Sequence, residues 1–235
     1  GNELLVKGAL EVEGGVHLLT GYPGSPIAGF FDAMEAIGPL LNEKGIVAKI
    51  ANNEALSVAM VNGAQMVGAR AITAFKNVGM HVASDALALG VLSGLHGDSG
   101  GVVICGDDPW CDSTQVPADS RFLAEHLRMP VIEPSTPQEV KDWINLAFKV
   151  GQAGHIYVGY LMTVTMADGG GSVECYPNHY PAFNEKQKKT LSYEKDIEPA
   201  LNQTVLLPPR SWQQELALGQ RYAAVKAAAS KLGVN

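Results

Sequence analysis

The sequence predicts an α/β fold, a doubly wound parallel sheet held between two layers of helix. Three observations carry this expectation. Short runs rich in Val and Ile recur without strict polar alternation, as strands buried on both faces require. A helical pattern stands beside each run, which is the rhythm of repeated strand–helix units. Of the 235 residues 46% are hydrophobic and only 17% charged, enough apolar surface for a sizeable core.

Taken in order, the strands are expected at Val16–Tyr22, Ile46–Ile50, Ala71–Phe75, Val102–Cys105, Pro130–Ile132 and His155–Tyr160. The helices are expected at Glu3–Val12, Pro26–Ala36, Glu54–Val67, Val82–Leu92, Ser120–Arg128 and Pro137–Val150. After Thr163 the texture changes to Gly169-Gly170-Gly171 and a polar stretch dotted with Tyr and Pro, with Lys186, Lys188 and Lys189 close together. This reads as an extended arm over 166–207, flexible or wrapped on a partner. Pro208 and Pro209 then open a helix from about Ser211 to Lys231, closed by Gly233. Its partial stripe of Trp212, Leu216, Tyr222 and Val225 suits a connector or docking helix over 208–235. The domain proper is expected to span 1–165.

Charge narrows the function. A formal net charge of −7 argues against nucleic acid and against an anionic membrane surface, both of which call for clustered Lys and Arg. Cys105, Cys111 and Cys175 are too few and wrongly spaced for a disulfide framework, a zinc site or an iron–sulfur cluster. No run approaches the roughly 20 apolar residues of a membrane span, and no signal-peptide pattern opens the chain, so a cytoplasmic home is expected. The first residue is Gly1 rather than Met, as expected of a chain that was trimmed or cut from something longer.

In doubly wound sheets ligands sit beyond the carboxyl ends of the strands. The first strand runs into Gly21-Tyr22-Pro23-Gly24-Ser25-Pro26, where glycine admits a ligand to the backbone and Ser25 offers a hydroxyl; a plain turn with Ser25 as helix cap explains it as well. The second ends at Asn52-Asn53-Glu54, and a glutamate in a first helical turn is commonly there for the macrodipole. The third ends at Lys76-Asn77-Val78-Gly79, polar residues with a glycine. The fourth ends at Asp107-Asp108-Pro109-Trp110, where a turn accounts for the aspartates without a metal. His17, His81 and His126 form no constellation, and neither Cys105 nor Cys111 has an activating base.

Five of these stretches occur together in order: Tyr22-Pro23-Gly24-Ser25-Pro26, Asn53-Glu54-Ala55, Phe75-Lys76-Asn77-Val78-Gly79, Gly106-Asp107-Asp108-Pro109 with Asp119-Ser120-Arg121, and Pro130–Ser135. In this register the chain resembles the pyrimidine-binding domain of 2-oxoacid:ferredoxin oxidoreductases, most of all the α subunits that act on indolepyruvate. The likeness covers about 1–158. It implies the thiamine-diphosphate-binding fold in its pyrimidine module. It implies that Glu54 hydrogen-bonds the pyrimidine N1′, sharing a proton there in a dry pocket so that the cofactor's C2 is primed. Tyr22, Pro23, Gly24, Ser25, Asn77, Val78 and Gly79 would line the cofactor, and Ser25 with Lys76 would face the 2-oxoacid.

The same resemblance implies what lies elsewhere. Such enzymes bind the diphosphate through Mg²⁺ on a second module, and the nearest echo of its motif here, Gly97-Asp98-Ser99, lacks the continuation. The diphosphate, Mg²⁺ and iron–sulfur clusters are therefore expected on a partner, with coenzyme A and a 2-oxoacid as small-molecule ligands and an obligate oligomer as the active form. Relatives carry arginines and threonines just after the last strand, where this chain has Tyr160-Leu161-Met162-Thr163; if a loop there meets substrate, an aryl-pyruvate becomes a candidate. A non-oxidative 2-oxoacid decarboxylase of the two-subunit sulfopyruvate type, or a non-catalytic module of the same fold, are the alternatives.

Overall fold

The computed structural model describes residues 1–183 and 192–234. The lysines at 186, 188 and 189 lie outside the described residues. Six strands form one all-parallel sheet: β1 (Leu18–Gly21), β2 (Val47–Ile50), β3 (Arg70–Lys76), β4 (Gly100–Asp107), β5 (Val131–Ile132) and β6 (Val158–Thr163), in the order β2-β1-β3-β4-β6-β5.

That order fixes the layers. Crossovers between parallel strands are right-handed, so steps in opposite directions along the sheet put their helices on opposite faces. From β1 to β2 the chain steps one way through α2 (Ala28–Ala36) and α3 (Gly38–Lys44), and from β5 to β6 it steps the same way through α7 (Pro137–Gly154). With α1 (Asn2–Leu10), which packs on both α2 and α7, these make one layer. The steps through α4 (Glu54–Met66), α5 (Asn77–Ser93) and α6 (Ser120–His126) run the other way and make the second layer, where α4 packs on α5.

The core fills the space between. β4 is buried at all eight positions, and Phe30, Phe75, Ile72, Val103 and Ile104 are fully enclosed. Tyr157 and Tyr160 are also enclosed, each with its hydroxyl satisfied: Tyr157 donates to Asn62 Oδ1 at 2.8 Å and Tyr160 to Glu139 O at 2.9 Å. Burial without such partners would be costly.

Several sequence expectations shift. The second strand is an edge strand whose Ala48, Lys49 and Ile50 are exposed, because nothing pairs beyond it; its apolar spelling disguised that position. The fourth helix begins at Asn77, so Asn77-Val78-Gly79 are its first turn rather than a loop. The segment expected to leave the last strand near Tyr160 is the strand itself: Tyr160, Leu161 and Met162 are buried in β6 beside β4, out of reach of any substrate.

The remainder of the chain runs down the first layer. After α8 (Val164–Asp168), residues 174–180 strap across α1 and α7. Lys7 Nζ donates to Tyr176 O at 2.8 Å, His179 N to Leu10 O at 2.7 Å, and Gln138 exchanges two hydrogen bonds with the Glu174 backbone. Beneath the strap Lys141 is fully buried, ion-paired to Glu11 and Asp142, with its ammonium 4.5 Å from the Tyr176 ring centroid. The part expected to be wholly extended also holds a helix, α9 (Glu198–Thr204). Finally α10 (Arg210–Leu232) ends on Gly233 at φ 72°, the left-handed cap that glycine accepts freely.

Helices α5 and α7 both point their carboxyl ends at the amino edge of the sheet, and α10 lies across them there. Arg221 donates to Leu92 O at 3.0 Å, Val225 packs against Gly154, and Glu215 pairs with Arg128. Trp212 and Leu216 point outward, 64% and 65% exposed. Among the described residues α10 has no counterpart at the opposite, carboxyl edge of the sheet. No helix among the described residues is long and apolar enough to cross a membrane.

Candidate functional site

Strands β1 and β3 are neighbours whose following helices lie on opposite faces, which makes the gap between their carboxyl ends the topological switch point. Three expected segments meet there. β1 ends on Gly21, whose φ is 148° and whose α-carbon leaves no room for a side chain: a Cβ would stand 2.0 Å from Ala74 O. The chain then turns through Tyr22, Pro23, Gly24 and Ser25, with Tyr22 40% exposed and Ser25 half-buried. On the facing strand Lys76 lays its aliphatic stem on Gly24, close enough that a Cβ there would sit 2.8 Å from the lysine Cδ.

Glu54 arrives from β2 as the first residue of α4. Its position is doubly fixed. Asn53 caps the helix by accepting from Leu56 N at 2.8 Å, and Ser57 bonds both Glu54 O at 2.7 Å and the Thr73 hydroxyl at 2.8 Å, tying the first turn of α4 to β3. The side chain is 8% exposed and lies flat on Gly79, where a Cβ would come within 2.5 Å of Oε1 and 2.7 Å of Cγ. Gly79 thus makes the space in which the carboxyl group rests. Sequence reasoning passed over Ser57 and Thr73. The available signal was a serine beside Val58 and Val61 on the inward face of α4.

The polar groups at this edge are unspent. The side chains of Glu54, Ser25 and Lys76 make no hydrogen bond or ion pair among the described residues. Asn77 is 1% exposed; its Oδ1 accepts from Val78 N, while its Nδ2 is buried without an acceptor. A buried donor left unmet is costly and calls for a ligand. Val78 is half-buried beside it. The site therefore offers a carboxyl group, a hydroxyl, an ammonium and an amide donor, with Gly24 and Gly79 making room for the Lys76 stem and the Glu54 carboxyl group.

Next along the edge, β4 spends its two aspartates on structure. Asp108 accepts from the amides of Asp112, Ser113 and Thr114 and from the Thr114 hydroxyl. Burial opposes its charge, yet these donors outweigh it and hold the carboxyl down to about 2. Asp107 is pushed up by burial while it anchors the start of α6 through Ser120 N at 2.8 Å and the Ser120 hydroxyl. Cys105 touches that hydroxyl at 3.1 Å, and burial pushes its thiol up, away from thiolate chemistry. Arg121 is clamped by Asp119 through two contacts of 2.8 Å, with Glu133 at 3.5 Å. Gly97 and Asp98 form the turn before β4, at the amino edge and far from these groups. His17 lies at that amino edge too, its Nδ1 accepting from Arg70 N at 3.0 Å.

No family model matches the chain. Curated relatives do. It is 36% identical over 152 residues to the indolepyruvate oxidoreductase subunit IorA of Pyrococcus abyssi, covering 65% of this chain and 22% of that protein. With the subunit of the same name from Thermococcus kodakarensis it shares 32% over 173 residues, 74% of this chain and 26% of the relative. With that of Archaeoglobus fulgidus it shares 33% over 153 residues, 65% and 24%. The chain thus spans about a quarter of the length of the relatives it matches. Among solved structures, a 2-oxoglutarate:ferredoxin oxidoreductase from Magnetococcus marinus superposes with a TM-score of 0.63 at 15% identity, over 97% of this chain and 44% of that one, which is a likeness of fold. The resemblance drawn from the sequence motifs is borne out.

Proposed function

We propose that this chain is the part of a thiamine-diphosphate-dependent 2-oxoacid:ferredoxin oxidoreductase that grips the aminopyrimidine ring, an α-type module completed by a partner. The curated relatives are named for an indolepyruvate oxidoreductase, which supports a 2-oxoacid, an aryl-pyruvate among them, as substrate. The reaction would join a 2-oxoacid, coenzyme A and oxidised ferredoxin to give acyl-CoA, CO₂ and reduced ferredoxin.

One observation carries the reading: a buried carboxyl group, fixed by its own helix cap and by Ser57, with no partner among the described residues, at the switch point of the sheet. The residues fit the cofactor's ring. Glu54 is suited to hold a proton at a ring nitrogen. The buried Nδ2 of Asn77 suits an acceptor on the ring, with Tyr22, Pro23 and Val78 around it. Thiamine diphosphate, when bound, supplies the nucleophilic carbon that adds to the 2-oxoacid carbonyl and holds the electrons left when CO₂ departs. Ser25 and Lys76 would face that oxoacid.

Following the resemblance, we assign the diphosphate, its Mg²⁺ and the iron–sulfur clusters to the partner. The partner's seat would be the outer face of α4 and α5. Leu56, Val82 and Leu89 are 49%, 54% and 51% exposed there, and Glu54 and Asp85 are the only formal charges in the two helices. That face is continuous with Glu54, so covering it would also dry the carboxyl group. In this scheme 1–165 is the pyrimidine-binding domain, 166–207 the arm and 208–235 the connecting helix.

The test is the assembled complex with viologen dye as acceptor. Glu54→Ala is expected to slow turnover by roughly 10²–10⁴-fold, with the fold intact by circular dichroism. An active variant with ordinary cofactor affinity refutes the role of Glu54. Release of CO₂ without dye reduction would replace the oxidoreductase by a non-oxidative decarboxylase, and absence of both would leave a non-catalytic module.

A further inference from the structure

Resting on that reading, we infer that Lys76 is the residue that recognises the carboxylate of the 2-oxoacid, and so selects a free acid over a neutral carbonyl compound. The chain gives its other described lysines either a carboxylate or open water. Lys7, Lys44, Lys141 and Lys149 each pair with a carboxylate. Lys49, Lys195, Lys226 and Lys231 are unpaired but exposed, where water serves them. Among the described residues Lys76 alone is both partly buried and unpaired.

Lys76 is half-buried and pairs with no carboxylate among the described residues, so its ammonium is left to meet an anion. Glu54 stands at the same crevice and does not provide it: the two side chains form no ion pair. A stem laid along Gly24 and the end of β3 hold Lys76 where it is, and Ser25 follows directly on the facing loop. Asn77, the next residue, adds a buried Nδ2 without an acceptor at the start of α5, a helix of 17 residues whose amino end favours negative charge. An anion seated here gains an ammonium, a helix start and a hydroxyl together. The other cation at this edge, Arg121, is already clamped by Asp119 and Glu133. Strand β6 holds no cation: Val158, Tyr160, Leu161 and Met162 are buried and Thr163 is half-buried.

Two anions could answer to this chemistry: the carboxylate of the oxoacid, or a phosphate of coenzyme A or of the cofactor. Steady-state kinetics of the assembled complex separates them. Lys76→Met is expected to raise KM for the 2-oxoacid roughly tenfold to hundredfold, leaving KM for coenzyme A and the affinity for thiamine diphosphate as they were. Lys76→Arg should restore most of the loss. Wild type should prefer the free acid to its methyl ester, and Lys76→Met should lose that preference. Calorimetric titration with oxamate, an anionic mimic that cannot be decarboxylated, should weaken in parallel.

An unchanged KM and unchanged ester discrimination in Lys76→Met overturn the inference while the proposed function stands. A rise confined to coenzyme A or thiamine diphosphate assigns Lys76 to a phosphate and overturns it too. A wild-type complex that turns over no 2-oxoacid sinks the proposed function and this inference with it.

Discussion

Gly79→Ala puts the carboxyl group and the helix that carries the glycine in opposition. Glycine in a helix costs up to about 1 kcal/mol relative to alanine, so propensity alone would make the variant the more stable protein. The added Cβ, however, would stand 2.5 Å from Glu54 Oε1 and 2.9 Å from Cδ. Ordinary contact begins at 3.4 Å, so the carboxyl group has to retreat by roughly 0.9 Å. It is the end of a flexible side chain, while Asn53 and Ser57 hold its backbone, so the carboxyl group moves and the helix stays. A displacement of about 1 Å at a reacting group costs on the order of 10²-fold in rate. The expected outcome is a turnover loss of that order in the assembled complex, beside a melting temperature within a few degrees of wild type. A variant of full activity would show that Glu54 need not occupy its place on Gly79, and the argument from packing would fail.

Other expectations can be checked on the chain itself. Burial, with the nearby Arg70 charge, holds the His17 imidazole down to about 4, from 6.5. The unfolded chain takes up a proton in that interval and the native chain does not, so stability is full above about pH 6.5 and falls as pH drops toward 4, by up to about 3 kcal/mol. His17→Asn keeps an acceptor for Arg70 N and should flatten this part of the urea-midpoint profile; an unaltered slope would contradict it. Lys141→Met should cost roughly 3 kcal/mol or more, because Glu11 and Asp142 lose a fully buried partner, and a urea midpoint equal to wild type would speak against the pair. Ser57→Ala strands the Thr73 hydroxyl in the core and frees the first turn of α4. About 1–2 kcal/mol of stability should go, together with part of the turnover, and a loss of stability alone would show that the clamp does not position Glu54.

Much of the fold was legible. Val- and Ile-rich runs, a helix beside each and a Pro-then-Gly frame around α10 are local signals, and local signals place elements. The same holds for Glu54 and Lys76, since a polar residue at the carboxyl end of a buried strand is visible in one dimension. Sequence alone thus determined the α/β class, the parallel sheet and which strand ends to inspect.

What it could not give were relations between segments. That β2 is an edge strand follows from strand order, which apolar spelling does not encode. The expected strand stops at Tyr160, whereas β6 runs on to Thr163 and the Tyr160 hydroxyl finds its partner on α7. Gly79 looked like a place for a ligand, and only packing revealed that its missing side chain makes room for Glu54. Ser57 acquires its meaning from Thr73, sixteen residues away on β3. Local propensity is a property of neighbours along the chain; the position of a carboxyl group is a property of neighbours in space, and those are chosen only when the layers close.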